Sequence, residues 1–314
     1  MTTTTRLYGL TIQSELPLHQ QREVAGASPI DVEIAWGVPV ARCDDRPGGR
    51  TVLHLDVDRQ YYTATERPDS SYLLRFYGTC DVAVSRDLRV ARIHLFPKAD
   101  RDLAAVLAGG TVIAFVLAMR GAAVLHASAV QIGDVSVAFV GASGMGKSTT
   151  ATLMCADGAR LITDDLLVLN LDHGTPTCSL GATEVRLRKS AGELSDRFAT
   201  LPGRRTTGDD RDALAVLSAT TEDLPLAAII IPVPDHTQGR TQAELERLDP
   251  MRAFLMLSRF PRLVGWEDDA VLRRQFQQLG DLIDRVPVHL ARLPWGPPFA
   301  PDLAASIRRE LGLP

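Results

Sequence analysis

One nine-residue stretch has the composition and spacing to bind phosphate. Residues 141–149 read GASGMGKST and match the pattern GxxxxGK[ST] at every fixed position. The apolar run before Gly141 predicts a buried strand, and the residues after Lys147 predict a helix that ends near Gly158. In this order, backbone N–H groups at the helix start surround an anion, a lysine meets the outer phosphates and a serine hydroxyl faces Mg²⁺. We therefore predict a nucleotide site formed by Gly141, Ala142, Ser143, Gly144, Met145, Gly146, Lys147, Ser148 and Thr149.

Two acidic residues follow the predicted phosphate loop. Asp164 and Asp165 come at the end of the apolar segment RLIT, 17 and 18 residues after Lys147. Successive residues of a strand point in opposite directions, so one carboxylate can address a metal ion while the other approaches an acceptor group. A solvated turn or a helix N-cap is the alternative explanation for the pair.

A single histidine lies upstream of the loop. His126 stands in LHASAV, followed by the turn residues IGD and the strand that leads into the loop. If the two strands pair as a hairpin, His126 lies beside the end of the second strand, close to the bound phosphates. A buried core histidine is the alternative on composition alone.

Composition excludes some classes of function. The 314 residues carry a formal net charge of −4, whereas nucleic-acid-binding domains are usually strongly basic. The four cysteines form no CxxC pair, which is typical of a reducing compartment rather than of a zinc site. Residues 103–119 are uncharged, but two central glycines favour a buried helix over a membrane span. We expect a cytoplasmic protein with neither nucleic acid nor membrane as a partner.

The arrangement of patterns predicts two domains. Residues 1–98 alternate in the manner of short strands separated by turns, which predicts a mostly antiparallel β-rich domain. Residues 99–314 predict an α/β domain around the P-loop, with helices near 99–120, 146–157, 250–258 and 268–285. The segments RLITDDLLVL, EVRLRKS and AAIIIPV are predicted as strands, and residues 201–212 and 234–242 as loops.

The combination of His126, the loop at 141–148 and the acidic pair resembles the bacterial HPr serine kinase/phosphorylases. A more distant similarity is to the nucleotide site of ATP-dependent phosphoenolpyruvate carboxykinases. The resemblance covers residues 121–170 and implies an HPr-kinase-like fold that uses ATP and Mg²⁺. It further implies that Asp164 is the general base, that Asp165 and Ser148 hold Mg²⁺, and that Lys147 and His126 contact the phosphates.

Two departures from that family argue against the reverse, phosphorylase reaction. The helix continues KSTT where the bifunctional enzymes have KSE, and the only segment like their RPGRN element is LPGRR at 201–205. The layout resembles HPr-kinase-like proteins encoded beside lasso-peptide genes, which phosphorylate the C-terminal region of a ribosomal precursor peptide. Substrate contacts are predicted at Arg186, Arg188 and Arg211, although a solvated edge strand and loop are an alternative. Aromatic groups in SRFPRLVGW and LPWGPP suit either a peptide pocket or the core.

These observations predict an ATP- and Mg²⁺-dependent serine kinase for a peptide or a small protein, most readily a tailoring kinase. An HPr(Ser) kinase-type regulator of carbon metabolism, a non-kinase ATP-binding regulatory module and a small-molecule kinase remain alternatives. The absence of an NKxD-like motif favours ATP over GTP.

Overall fold

The computed structural model describes residues 2–20, 22, 24, 28–172, 174–188, 194, 204–237 and 241–314 of a mixed α/β chain. Lys189 and Ser190 of the predicted strand EVRLRKS, and parts of both predicted loops, lie outside these residues. The chain divides into two compact units. The first comprises Met1–Ala122, Thr207–Asp209 and Leu263–Gln275, and the second comprises Ala123–Thr206, Asp210–Arg262 and Phe276–Pro314.

The first unit is built on an eight-stranded sheet within the described residues. Its strands are β1 (Thr3–Leu7), β2 (Leu10–Ser14), β3 (Val32–Trp36), β4 (Arg50–Asp56), β5 (Gln60–Glu66), β6 (Tyr72–Phe76), β7 (Cys80–Val84) and β8 (Val90–Leu95). Neighbouring strands are antiparallel except that β3 runs parallel to β2 and to β8. The opening hairpin was not predicted, because its first strand is almost wholly polar. Its turn residues Tyr8 and Gly9 both have positive φ, the backbone shape that two-residue hairpin turns require.

An apolar helix packs inside the first unit. It consists of α1 (Arg101–Leu107), a π-helical turn at Ala108–Val112 and α2 (Ile113–Met119). Among the described residues it is the one helix long and apolar enough to cross a membrane. Phe115 is fully buried, however, and packs against the rings of Tyr72 and Trp266, so this part of the helix lies in the core of the first unit. This packing places the helix with the first unit, whereas the boundary drawn from the sequence between residues 98 and 99 assigned it to the second.

The second unit contains a nine-stranded sheet in its described part, with a smaller three-stranded sheet beside it. The large sheet consists of β9 (Ala123–Leu125), β10 (Ala127–Ile132), β11 (Val135–Val140), β12 (Arg160–Thr163), β13 (Leu167–Asn170), β14 (Thr177–Cys178), β18 (Leu224–Asp235), β19 (Glu244–Arg247) and β20 (Val288–Pro294). The small sheet consists of β15 (Glu184–Leu187), β16 (Arg204–Thr206) and β17 (Asp212–Ala215). The helices that follow α2 in the described chain are α3 (Lys147–Ala156), α4 (Pro250–Leu257), α5 (Asp269–Arg285) and α6 (Leu303–Leu311). Strands β10 and β11 form the expected antiparallel hairpin, with Ala127 opposite Val140.

Two paired segments of the large sheet are each interrupted, and the two interruptions lie next to each other. The segment RLITDDLLVL was predicted as one strand, and that prediction is wrong. It divides into β12 and β13 because Asp165 adopts a left-handed backbone conformation, with φ of +72°. The paired segment breaks between β9 and β10 at His126. The two breaks bring His126 and the acidic pair together.

Candidate active site

The phosphate loop connects β11 to α3 within the second unit. Gly144 and Gly146 both have positive φ, at +92° and +87°, a conformation that side chains disfavour. No side chain caps the start of α3, and its first turn contains no acidic residue. The N–H groups of this turn are therefore available to an anion, and the positive end of the helix dipole favours one.

The loop lysine is almost completely buried, with 6% of its surface exposed. The Nζ atom of Lys147 donates a hydrogen bond to the carbonyl oxygen of Ala142 at 3.1 Å. Burial lowers the pKa of Lys147 to about 8, although Asp164 and Asp165 partly oppose the shift. The negative charge of a bound polyphosphate would stabilise the protonated form of this buried amine, so the site is suited to an anion.

Asp164 is a buried acceptor that faces the phosphate loop. Its Oδ1 accepts hydrogen bonds from the hydroxyl groups of Ser128 at 2.6 Å and Ser148 at 2.7 Å. Its Oδ2 accepts a third, from the backbone N–H of Arg186 at 2.9 Å. The carboxylate is thus fixed beside the serine hydroxyl at the start of α3.

Asp165 faces a cluster of cationic side chains. Its Oδ2 accepts hydrogen bonds from Arg186 at 2.8 Å and from Arg262 at 2.9 Å, and its Oδ1 lies 3.2 Å from Nε2 of His126. Burial raises the pKa of Asp165, but Arg262, His126 and Arg186 together hold it well below its ordinary value. The left-handed backbone at Asp165 is a conformation that aspartate tolerates better than most residues, and it turns the two carboxylates to different partners.

His126 faces the cleft rather than the hydrophobic core. Its side chain is 24% exposed and lines the opening next to Lys147. Burial lowers the pKa of His126, and the hydrogen bond to Asp165 opposes the shift. The ring is therefore favoured in its neutral form near neutral pH, with Asp165 fixing its orientation.

A cleft of about 270 Å³ brings most of the predicted residues together. The members of the predicted set that line it are His126, Ser143, Gly144, Gly146, Lys147, Ser148, Thr149, Asp165, Arg186, Arg188 and Arg211. Arg188 donates a hydrogen bond to Ser143 Oγ at 3.0 Å, across the phosphate loop. Gly141, Ala142, Met145 and Asp164 are not among the lining residues, and Asp164 lies behind Ser148. The described part of the cleft walls carries several cationic groups and a single carboxylate, that of Asp165.

The residues at the loop suit Mg²⁺ rather than a metal held wholly by the protein. Among the described residues, no group of three or more His, Cys, Asp or Glu side chains could hold a metal ion. Ser148 and Asp164 nevertheless offer two oxygen ligands side by side at the start of α3. Mg²⁺ usually takes one or two protein oxygens and fills its other positions with water and substrate phosphates. The donor set fits that arrangement.

Sequence reasoning missed Ser128 and Arg262, and it left the aromatic groups of LPWGPP open between a pocket and the core. Ser128 stands two positions after His126 on the same strand segment, so strand alternation was an available signal. Arg262 reaches Asp165 from 97 positions away along the chain, and nothing local to it indicates the contact. Trp295, from LPWGPP, lines the cleft, whereas Trp266, from SRFPRLVGW, is buried in the first unit.

Comparisons with known proteins add little to this description. No family model and no curated protein matches the chain. A solved structure of the HPr(Ser) kinase/phosphatase from Coxiella burnetii is 14% identical, and the match covers 60% of this chain and 95% of that chain at a TM-score of 0.30. A likeness this loose carries no argument about the activity of this chain. The resemblances to phosphoenolpyruvate carboxykinases and to lasso-peptide proteins stay predictions.

Proposed function

We propose that this protein is an ATP- and Mg²⁺-dependent phosphotransferase that acts as a serine kinase on a peptide or a small protein. The observation that carries the proposal is the contact between Ser148 Oγ and Asp164 Oδ1 at the start of α3. A serine hydroxyl and a carboxylate paired in this way behind a phosphate loop are the protein ligands that nucleotide-bound Mg²⁺ uses in P-loop enzymes. The cationic cleft in front of them supports the binding of a triphosphate.

The residues of the loop divide the work of binding. Lys147 counters the charge of the outer phosphates, and the backbone N–H groups around Gly146 donate to the same oxygens. Ser148 and Asp164 would hold Mg²⁺, which would supply positive charge against the transferring phosphoryl group. Arg186 and Arg262 each bring a charged guanidinium near the phosphate end, where Asp165 now pairs with both.

The contacts favour a reversal of the two acidic roles. The family resemblance implied that Asp164 is the general base and that Asp165 serves the metal. Asp164 instead contacts Ser148, the serine proposed to bind Mg²⁺, while Asp165 borders the open cleft beside His126. We propose that Asp165 orients the acceptor hydroxyl and accepts its proton, and that Asp164 serves the metal. Pairing of the arginines with phosphate oxygens would relieve the strong lowering of the pKa of Asp165.

We further propose a cytoplasmic peptide-tailoring kinase, with the C-terminal region of a ribosomal, lasso-type precursor as the acceptor. This finer proposal rests on the resemblance in sequence layout. An HPr(Ser) kinase-type regulator and a regulatory ATP-binding module are the competing functions. ATP turnover by a regulatory module would not depend on a phosphate acceptor.

Phosphoryl transfer to peptides tests the proposal. Wild type and the Lys147→Met variant are incubated with Mg²⁺, ATP labelled on the γ-phosphate and pooled synthetic peptides that contain serine. Pools with alanine in place of serine serve as the blank. Lys98→Met, at an exposed lysine of the first unit, is the matched control. We expect serine-dependent labelling by wild type and the control alone. ATP hydrolysis without labelling of any peptide would instead favour the regulatory module.

A further inference from the structure

One end of the cleft is aromatic and plays no part in the phosphate chemistry described above. Trp295, Pro297 and Phe299 line this end. The rings of Trp295 and Phe299 meet edge to face, with centroids 5.4 Å apart. The backbone N–H of Trp295 donates to the carbonyl oxygen of Asp235 at 2.9 Å, which anchors the segment to β18. The indole is thus held in position but remains partly open to the cleft.

The aromatic end adjoins the phosphate loop directly. The six-membered ring of Trp295 packs against Gly146, and a Cβ atom at that position would overlap the ring. Thr149, two residues beyond Lys147, lines the same cleft. A ligand whose phosphates lie on the loop therefore has a flat apolar surface within reach of the group attached to them.

The two ends together suit a ligand with one highly charged part and one flat aromatic part. The phosphate end supplies Lys147 and arginine side chains, while the other end supplies indole and phenyl rings. Aromatic side chains hold nucleobases by stacking, because every base has a π-face. Among the described residues, the cleft lining includes no Glu, Asn or Gln, and its one Asp, Asp165, pairs with Arg186 and Arg262, so base edges have few side-chain partners there.

We propose that Trp295 is the stacking platform for the nucleobase of the bound nucleotide. This inference rests on the proposed function, since it assumes that the phosphate loop binds a nucleoside triphosphate. The base is held chiefly through its ring face, so affinity for the base depends on the aromatic surface at residue 295. Phe299 supports the indole from the side.

Binding of ATP and of inorganic triphosphate to the same variants tests the platform. Base stacking on an aromatic side chain typically corresponds to about a 5- to 150-fold change in affinity when that side chain is replaced by alanine. Trp295→Ala should weaken ATP by a factor in that range and leave the affinity for inorganic triphosphate within about twofold. Trp295→Phe, which keeps a ring, should retain most of the ATP affinity. Both ligands are measured by calorimetry in Mg²⁺ buffer, with melting temperatures recorded for each variant.

Fluorescence gives an independent signal. The chain has three tryptophans, and Trp36 and Trp266 both lie in the first unit. ATP should quench the tryptophan emission of wild type but not that of Trp295→Phe. Inorganic triphosphate should quench the emission of wild type less than ATP does.

The outcomes separate the inference from the proposed function. If neither ATP nor inorganic triphosphate binds to wild type, the proposed function fails. If both bind and Trp295→Ala weakens them equally, the indole only shapes the phosphate loop and the inference is overturned. An unchanged ATP affinity in Trp295→Ala also overturns it, and would leave the aromatic end to a peptide.

Discussion

Replacing each member of the acidic pair by asparagine separates their roles. In Asp164→Asn, the amide oxygen can keep the contact with the backbone N–H of Arg186, which can only donate. The amide NH₂ group then faces the hydroxyls of Ser128 and Ser148, which can rotate to accept. The fold should therefore survive while the site loses its metal-binding charge. Loss of a residue that only orients a metal ligand typically costs about 10- to 100-fold in metal affinity, so loss of a direct carboxylate ligand should cost at least about 10-fold.

Asp165→Asn should behave differently. It deletes the group that accepts the acceptor proton, and general-base contributions are about 10²–10⁴-fold in rate. It also leaves Arg186 and Arg262 without their anionic partner. Breaking a fully buried pair costs about 3–5 kcal/mol, and these partly buried pairs at the open cleft should cost less. Rates are therefore compared per folded molecule, with the folded fraction taken from thermal melts.

The assay is a Mg²⁺ titration of phosphoryl transfer by wild type and both variants. We expect Asp164→Asn to need at least about 10-fold more Mg²⁺ for half-maximal rate and to be rescued by excess metal. Asp165→Asn should keep the Mg²⁺ requirement of wild type with a rate that no concentration of metal restores. Rescue of Asp165→Asn but not of Asp164→Asn would refute our assignment and restore the one implied by the family resemblance.

Two further predictions concern glycine geometry and thiol burial. Gly146→Ala and its control Gly158→Ala both place a side chain at positive φ, at a cost of about 1–2 kcal/mol in stability. Only the new side chain at residue 146 also meets an aromatic ring, so Gly146→Ala alone should lose ATP affinity in calorimetry. An equal loss of ATP affinity in both variants would contradict the close contact. A thiol reagent at pH 8 should label one cysteine of the native protein, Cys43, and four after denaturation, as read by mass spectrometry. Labelling of two or more thiols in the native protein would contradict the burial. Burial raises the pKa of the other three thiols to about 12 in the folded protein. In the unfolded chain these thiols lose their protons near pH 9, so the free energy of unfolding should fall as the pH rises from about 9 towards 12. These thiols are Cys80, Cys155 and Cys178.

The parts of the site that are contiguous in sequence were the most predictable. The phosphate loop combines an apolar strand, spaced glycines and a helix in one short segment, so local chemistry defines it. The β10–β11 hairpin follows from two apolar runs separated by a turn at Gly133. Contacts between distant segments were not predictable in the same way, and the pairing of Arg262 with Asp165 is the clearest case.

The division between β12 and β13 shows why apolar patterning misled. Apolar residues flank the acidic pair on both sides, so periodicity alone favours one continuous strand. The left-handed turn at Asp165 is stabilised by His126 and two arginines, none of which is near it in sequence. Strand β20 and helix α6 were also missed, because the proline-rich segment between them dominates the local pattern.

Calorimetric titration of Mg·ATP tests the central claim, that the phosphate loop is a working nucleotide site. We predict saturable binding of one ATP per wild-type chain, with a dissociation constant below about 1 mM. Lys147→Met should abolish the binding signal, since it removes the buried ammonium group that faces the loop, while Lys98→Met should bind as wild type does. Absence of binding to wild type, or equal binding to Lys147→Met, would contradict the account.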